Sequence, residues 1–242
     1  MIVFLLQTMA MAEEAGQGGF GWMEMWDHSG YIAKTVIITL LLMMFWSLIV
    51  GVERWLAFRK ARTQSMALAG DIVSKLQAND IAGALALTKS EDYDASYLAG
   101  MLRAGLIELN DRVDTFGVVN AARAIEKAHL EEVSKMKKGM TVLATTGSTA
   151  PFVGLFGTTF GVINAFQGMA EAGSGLASIS AGISEALVTT GVGIGVAVFG
   201  VWLFNYFTSR ADKVKDELAA SEADFNDWAE KLLQEPAAAA GK

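Results

Sequence analysis

Between Glu171 and Arg210 the chain carries a single charge, Glu185, in a stretch long enough to cross a lipid bilayer. A carboxylate inside hydrocarbon is costly, so its default role is functional, on an ion path or facing a partner. The alternative is a Glu near the membrane surface that reaches water or caps a neighbouring helix. Glu185 lies about 13 positions after an apparent turn at Ala172. At about 1.5 Å per residue that count places it well inside a core of about 30 Å. Thr158 lies about 14 positions before the same turn, so a helical hairpin brings the two residues to a similar level. Thr189 follows Glu185 by one turn on the same side of its helix, whereas Thr190 points about 140° away. The third span therefore offers a carboxyl to one neighbour and a hydroxyl to another. A membrane threonine taken singly more often satisfies its hydroxyl on its own helix. A carboxyl and several hydroxyls at one depth suit proton or cation handling better than covalent chemistry.

Composition excludes several other classes. The 242 residues are 52% hydrophobic, with two prolines and no cysteine. That is too much apolar surface for one soluble core, and it rules out disulfides and cysteine-held metals. The two histidines, His28 and His129, are far apart, so neither a histidine metal site nor a catalytic triad has support. No cofactor and no enzymatic activity are expected. A net charge of −7 gives no basic surface for nucleic acid.

The elements that must position Glu185 are membrane helices. The fold class read from the chain is an all-α integral membrane protein, with three transmembrane helices extending into a helical cytoplasmic domain. Residues 1–31 form an N-terminal periplasmic segment, whose apolar Met1 to Met11 and small residues before Glu13 resemble a signal-peptide start without its basic residues. Residues 32–52 are the first span, with Lys34 near its outer end and Trp22, Trp26, Tyr31, Trp46 and Trp55 as interfacial anchors. Residues 53–138 form the cytoplasmic helical domain, where Asn79 and Asp80 mark a helix start and Lys89 to Asp94 a polar linker. From about Thr115 onward one long helix is expected to rise into the membrane. Residues 139–170 carry no charge and form the second span, 171–175 a periplasmic turn, and 176–207 the third span. Residues 208–242 hold an amphipathic helix, with Val214, Leu218, Phe225, Trp228 and Leu232 at helical spacing, and a disordered tail from Pro236. Basic clusters at Arg54 to Arg62, Lys135 to Lys138 and Arg210 to Lys215 all mark one side. By the positive-inside rule the N-terminus lies outside and the C-terminus in the cytoplasm.

The second and third spans are rich in small residues, with Gly157/Gly161 and Gly191/Gly195 in GxxxG spacing. Such residues let helices approach closely in lipid, within one subunit or between subunits.

The run APFVGLFGTTFGVI, Ala150 to Ile163, with GISEALVTT, Gly182 to Thr190, resembles the signature of the MotA/TolQ/ExbB proton-channel family. The three-span order and the large segment between the first two spans place the resemblance in the TolQ/ExbB branch. MotA-like stators usually carry four spans. The resemblance implies a proton pathway through Thr158, Glu185 and Thr190, with Thr189 and Pro151 in the pathway or in packing. It implies a homopentamer in the bacterial inner membrane around two copies of an ExbD/TolR-like single-span partner with a membrane Asp. Such a complex converts proton motive force into mechanical work, and each charge crossing about 100 mV releases about 2.3 kcal/mol. TonB-dependent uptake, Tol-type envelope maintenance and gliding motility would all use such a subunit. A non-conducting membrane scaffold is the competing class, and a secondary transporter is disfavoured by three spans without an internal repeat.

Overall fold

The computed structural model describes residues 30–172 and 176–239. All regular structure in them is helical: α1 (Tyr31–Gln77), α2 (Ile81–Thr88), a single 3₁₀ turn (Glu91–Tyr93), α3 (Tyr97–Asp111), α4 (Thr115–Lys137), α5 (Met140–Ala172) and α6 (Leu176–Ala239). Residues 1–29 of the expected N-terminal segment and residues 173–175 of the expected turn lie outside the described residues. Among the described residues, three helical stretches are long and apolar enough to cross a membrane: Tyr31–Gln77, Met140–Met169 and Gly182–Gln234.

The chain divides into two compact units. The first takes residues 30–47 and 144–201 of the described chain. Its core is thin: Val36 and Leu40 of α1 are buried with Ala150, Val196 and Ala197 of α5 and α6. Large apolar side chains point outward instead, among them Phe45, Trp46, Phe152, Leu187 and Val198. That inversion suits a solvent of acyl chains, where an outward Phe costs nothing and backbone groups must be satisfied inside helices.

The second unit, residues 48–143 and 202–239 of the described chain, follows the rules of a water-soluble domain. Leu68, Met101, Leu106, Leu109, Ile125 and Leu218 are fully buried in one cluster. Phe58 and Phe207 stack with ring centroids 5.9 Å apart. The expected amphipathic stripe of α6 is the face that enters this core: Val214, Leu218, Phe225 and Leu232 are buried, and the Trp228 indole donates to the Leu76 carbonyl at 2.9 Å. The starts of α2, α3 and α4 are each closed by the side chain just before them. Asp80 accepts from Gly83 N at 2.8 Å, Ser96 from Ala99 N at 3.1 Å and Asp114 from Gly117 N at 2.7 Å. The Gly83 N–H with Lys75 holds Asp80, and Arg112 with the Gly117 N–H holds Asp114, below the usual carboxylate range.

Two expectations are corrected. The single helix expected from Thr115 into the membrane is two, α4 and α5, divided at Lys138 and Gly139. Gly139 sits at φ +80°, a left-handed conformation that glycine adopts without penalty, and this ends the first helix. Where a disordered tail is expected from Pro236, α6 continues to Ala239 through a run of alanine, the strongest helix former.

Leu218 has no exposed surface. Leu218→Ala should lower the unfolding free energy of the detergent-solubilised protein by about 2–5 kcal/mol, read as a lower thermal midpoint.

Candidate functional site

The site grows out of a seam between α5 and α6 in which both sides are nearly side-chain free. A Cβ added at Gly154 would lie 2.8 Å from the Thr189 carbonyl oxygen and 3.2 Å from Gly193 Cα, and one at Gly193 would lie 2.7 Å from the Ala150 carbonyl oxygen. Real Cβ atoms do not come that close to backbone, so glycine is required there. The same seam continues through Gly157 against Thr189, Gly161 against Ala186 and Gly182 against Ala165. These pairs run in opposite directions along the two helices, which fixes an antiparallel hairpin and its register. Gly157/Gly161 is thus consumed within the hairpin. Gly191 and Gly195 meet nothing within 4 Å.

In that register Thr158 stands level with Thr189 and Thr190. The Thr190 hydroxyl donates to the Thr158 hydroxyl at 3.4 Å, and the Thr158 hydroxyl donates to the Leu155 carbonyl at 2.8 Å. Both side chains are half-buried. Thr189 faces the seam itself: it is fully buried, and its hydroxyl donates to Ala186 O at 2.7 Å and Gly154 O at 3.3 Å. Its polar atom is satisfied on backbone, so packing is its observed role. Pro151 is half-buried within α5, one turn before Gly154, and the helix continues through it. Lacking an N–H, it leaves the Gly147 carbonyl without its helical donor.

Glu185 departs from the expected placement. The expected common level with Thr158 does not hold: opposite Glu185 the register places Val162, one turn from Thr158 along α5. The reason is that the hairpin register centres beyond Ala172, which shortens one arm and lengthens the other. Its Oε1 accepts a hydrogen bond from Gly30 N at 3.0 Å, and the Gly30 carbonyl takes Lys34 N, the first bond of α1, at 3.1 Å. The carboxylate therefore caps the start of a neighbouring helix, where the partial positive charge of the helix end faces it. Glu185 is half-buried and stands beside the beginning of α1 rather than midway along it.

One polar pair in this unit escaped the sequence reading. Ser47 of α1 donates to the Thr146 hydroxyl of α5 at 3.0 Å, and both residues are buried. The available signal was a serine late in an otherwise apolar span. Pairing hydroxyls across helices satisfies groups that lipid cannot.

Comparison with known proteins bears on the same residues. The profile of the MotA/TolQ/ExbB proton channel family matches residues 94–220, a range that holds the whole seam with Thr158, Glu185 and Thr190. The biopolymer transport protein ExbB of Salmonella typhimurium is 31% identical over 208 residues, 80% of each chain. The chain belongs to this family. Within it the similarity lies in the TolQ/ExbB branch. The Tol-Pal system protein TolQ of Pseudomonas aeruginosa is 36% identical over 118 residues, 48% of this chain and 51% of that protein. The ExbB of Xanthomonas campestris pv. campestris is 38% identical over 107 residues, 44% of this chain and 42% of its own length. Those two alignments thus span about half of the relatives or less. The family membership, with three helices able to cross a bilayer, makes this chain an integral membrane protein.

Because backbone rather than flexible side chain occupies the space at Gly154, Gly154→Val should prevent the hairpin from closing. The expected result is a loss of stability of at least the 1–3 kcal/mol typical of overpacking, about that range or beyond, measured by thermal unfolding in detergent.

Proposed function

We propose that this protein is the proton-conducting subunit of a bacterial inner-membrane complex that converts proton motive force into mechanical work through a single-span partner. It works without enzymatic chemistry and without a cofactor. The observation that carries the reading is the half-buried hydroxyl pair, Thr190 donating to Thr158. Each oxygen keeps a lone pair free, because the Thr158 proton is committed to Leu155 O. Two hydroxyls held on a rigid hairpin with lone pairs free can accept hydrogen bonds from water or from a protonated carboxyl without holding a proton themselves. Family membership supports the partner: an ExbD/TolR-like protein, two copies within a homopentamer, whose membrane Asp would meet these threonines. Three spans in one subunit are too few to enclose a path, so the pore would be shared. TonB-type uptake and Tol-type envelope maintenance are the machines the relatives' names suggest, and a gliding motor would use the same parts.

The cap made by Glu185 favours a second reading, a membrane scaffold in which this carboxylate only fastens α1 to the hairpin. Glu185→Gln separates the two, since the amide oxygen can still accept from Gly30 N while the charge is gone. In liposomes containing the partner, Thr158→Val and Thr190→Val should each reduce proton flux about ten-fold, the effect of about 1.4 kcal/mol. Glu185→Gln should assemble normally and conduct less. Normal flux in both threonine variants would sink the pore assignment, and normal flux in Glu185→Gln would leave that residue a purely structural cap.

Orientation is open to a direct check. Ser90→Cys and Ala220→Cys should react with a membrane-impermeant maleimide in inverted vesicles and not in right-side-out ones. Labelling from the opposite face would reverse the topology read from the basic clusters.

A further inference from the structure

In the second unit, where α1 and α6 leave their apolar stretches, a groove of about 940 Å³ opens between them. Its floor and walls include Val52, Trp55, Trp202 and Tyr206, and its polar end is Arg210 and Lys213. A smaller cavity of about 260 Å³ shares Trp55, Tyr206 and Arg210 and adds Arg59 and Arg62. Trp202 is 78% exposed, so the apolar wall has no partner within the chain.

The charges around it are arranged unlike their neighbours. Lys137 is paired with Asp212 at 3.3 Å, Lys135 with Glu132 at 2.6 Å, and Arg54 with Glu53. Among the described residues, Arg59, Arg62, Arg210 and Lys213 have no carboxylate within 4.0 Å. Two are held at the apolar edge by aromatic rings: the Arg59 guanidinium lies 5.6 Å from the Trp55 ring centre and that of Arg210 lies 5.2 Å from Tyr206. Arg210 also donates to the Tyr206 hydroxyl at 3.1 Å. Two of these cations, Arg210 and Lys213, thus line a groove whose other end is tryptophan and aliphatic carbon, and the other two line the smaller cavity beside it. A free anion would have no use for the apolar wall, and a neutral lipid none for the cations.

We propose that this groove binds an anionic phospholipid of the cytoplasmic leaflet, with an acyl chain along Val52, Trp55 and Trp202 and the phosphate between Arg210 and Lys213. Basic side chains directly past a membrane span attract such headgroups, and aromatic rings settle at the same depth. The inference rests on the orientation proposed above and uses no part of the proton pathway, so normal or absent flux leaves it untouched.

Native mass spectrometry of the full-length protein in detergent tests it, with dioleoylphosphatidylglycerol or dioleoylphosphatidylcholine added at equal concentration. Wild type should retain the anionic lipid at least about ten-fold better. Neutralising each basic side chain should weaken retention about five-fold, so Arg210→Gln with Lys213→Gln should lose about 30-fold. Arg210→Lys with Lys213→Arg should keep it, as should Lys127→Gln on the exposed side of α4. Equal retention of the two lipids by wild type, or full retention by the double Gln variant, overturns the proposal. So does displacement of the lipid by millimolar inorganic phosphate, which would make it a free-anion site. Efficient cross-linking of Trp202→Cys to a second copy in lipid-replete membranes would place another subunit in the groove and also overturn it.

Discussion

How near two helix backbones can come decides what the membrane part of this protein is able to do. Acyl chains are as apolar as leucine, so lipid gives little reason for helices to cluster by burying leucine. Association then depends on dispersion and on polar contacts, both of which fall off steeply with distance. At Gly154 and Gly193 nothing stands between the chains but hydrogen. The register set there brings Thr190 to Thr158, seats Thr189 in the seam and leaves Glu185 one turn away, against the start of α1. The hydroxyl pair, already 3.4 Å apart, does not survive a seam wider by one methyl group. The site is a product of the glycines as much as of the residues that carry oxygen.

The other unit solves the opposite problem with the opposite materials. In water the drive comes from removing apolar surface, and the core is accordingly built from large aliphatic side chains of α1, α3, α4 and α6. Several polar groups that enter it are matched: Ser65 meets Ser96 at 2.9 Å, and His129 Nδ1 lies 2.6 Å from Glu222, while His129 Nε2 is buried without a partner. Burial and the adjoining Glu217 carboxylate raise the Tyr97 phenol far above its ordinary range, so it remains a donor at any physiological pH.

Much of this organisation is legible in the chain, and the parts that are not share a cause. Charge-free runs and the stripe Val214, Leu218, Phe225, Leu232 each depend on residues near one another in sequence, and each appears in the structure as read. The start at Asp80 is equally local. What sequence spacing misjudges is register between helices. Counting from Ala172 put Glu185 level with Thr158, whereas contacts at Gly161 and Gly157 shift the two by a turn. The Gly30 cap and the Ser47 to Thr146 bond join residues 155 and 99 positions apart, which no periodicity reveals. The division at Gly139 is different in kind. Its signal, a glycine after Lys137 and Lys138, is visible, but the absence of proline around it reads more strongly as continuity.

That division separates two regimes of tolerance to change in length. Along α6, 64 residues without interruption, one inserted residue turns every later side chain by about 100° and carries the Leu218 stripe away from its core. The 47 residues of α1 are bound in the same way. At Lys138 and Gly139 the rotation of α4 is not handed on to α5, because a left-handed glycine resets the direction of the chain. Natural variation in the size of the domain after the first span therefore has a place to be absorbed, while the lengths of α1 and α6 are locked to each other's faces. Related chains should differ in length around residues 78–96, 112–114 and 138–139, and align without gaps along the two long helices.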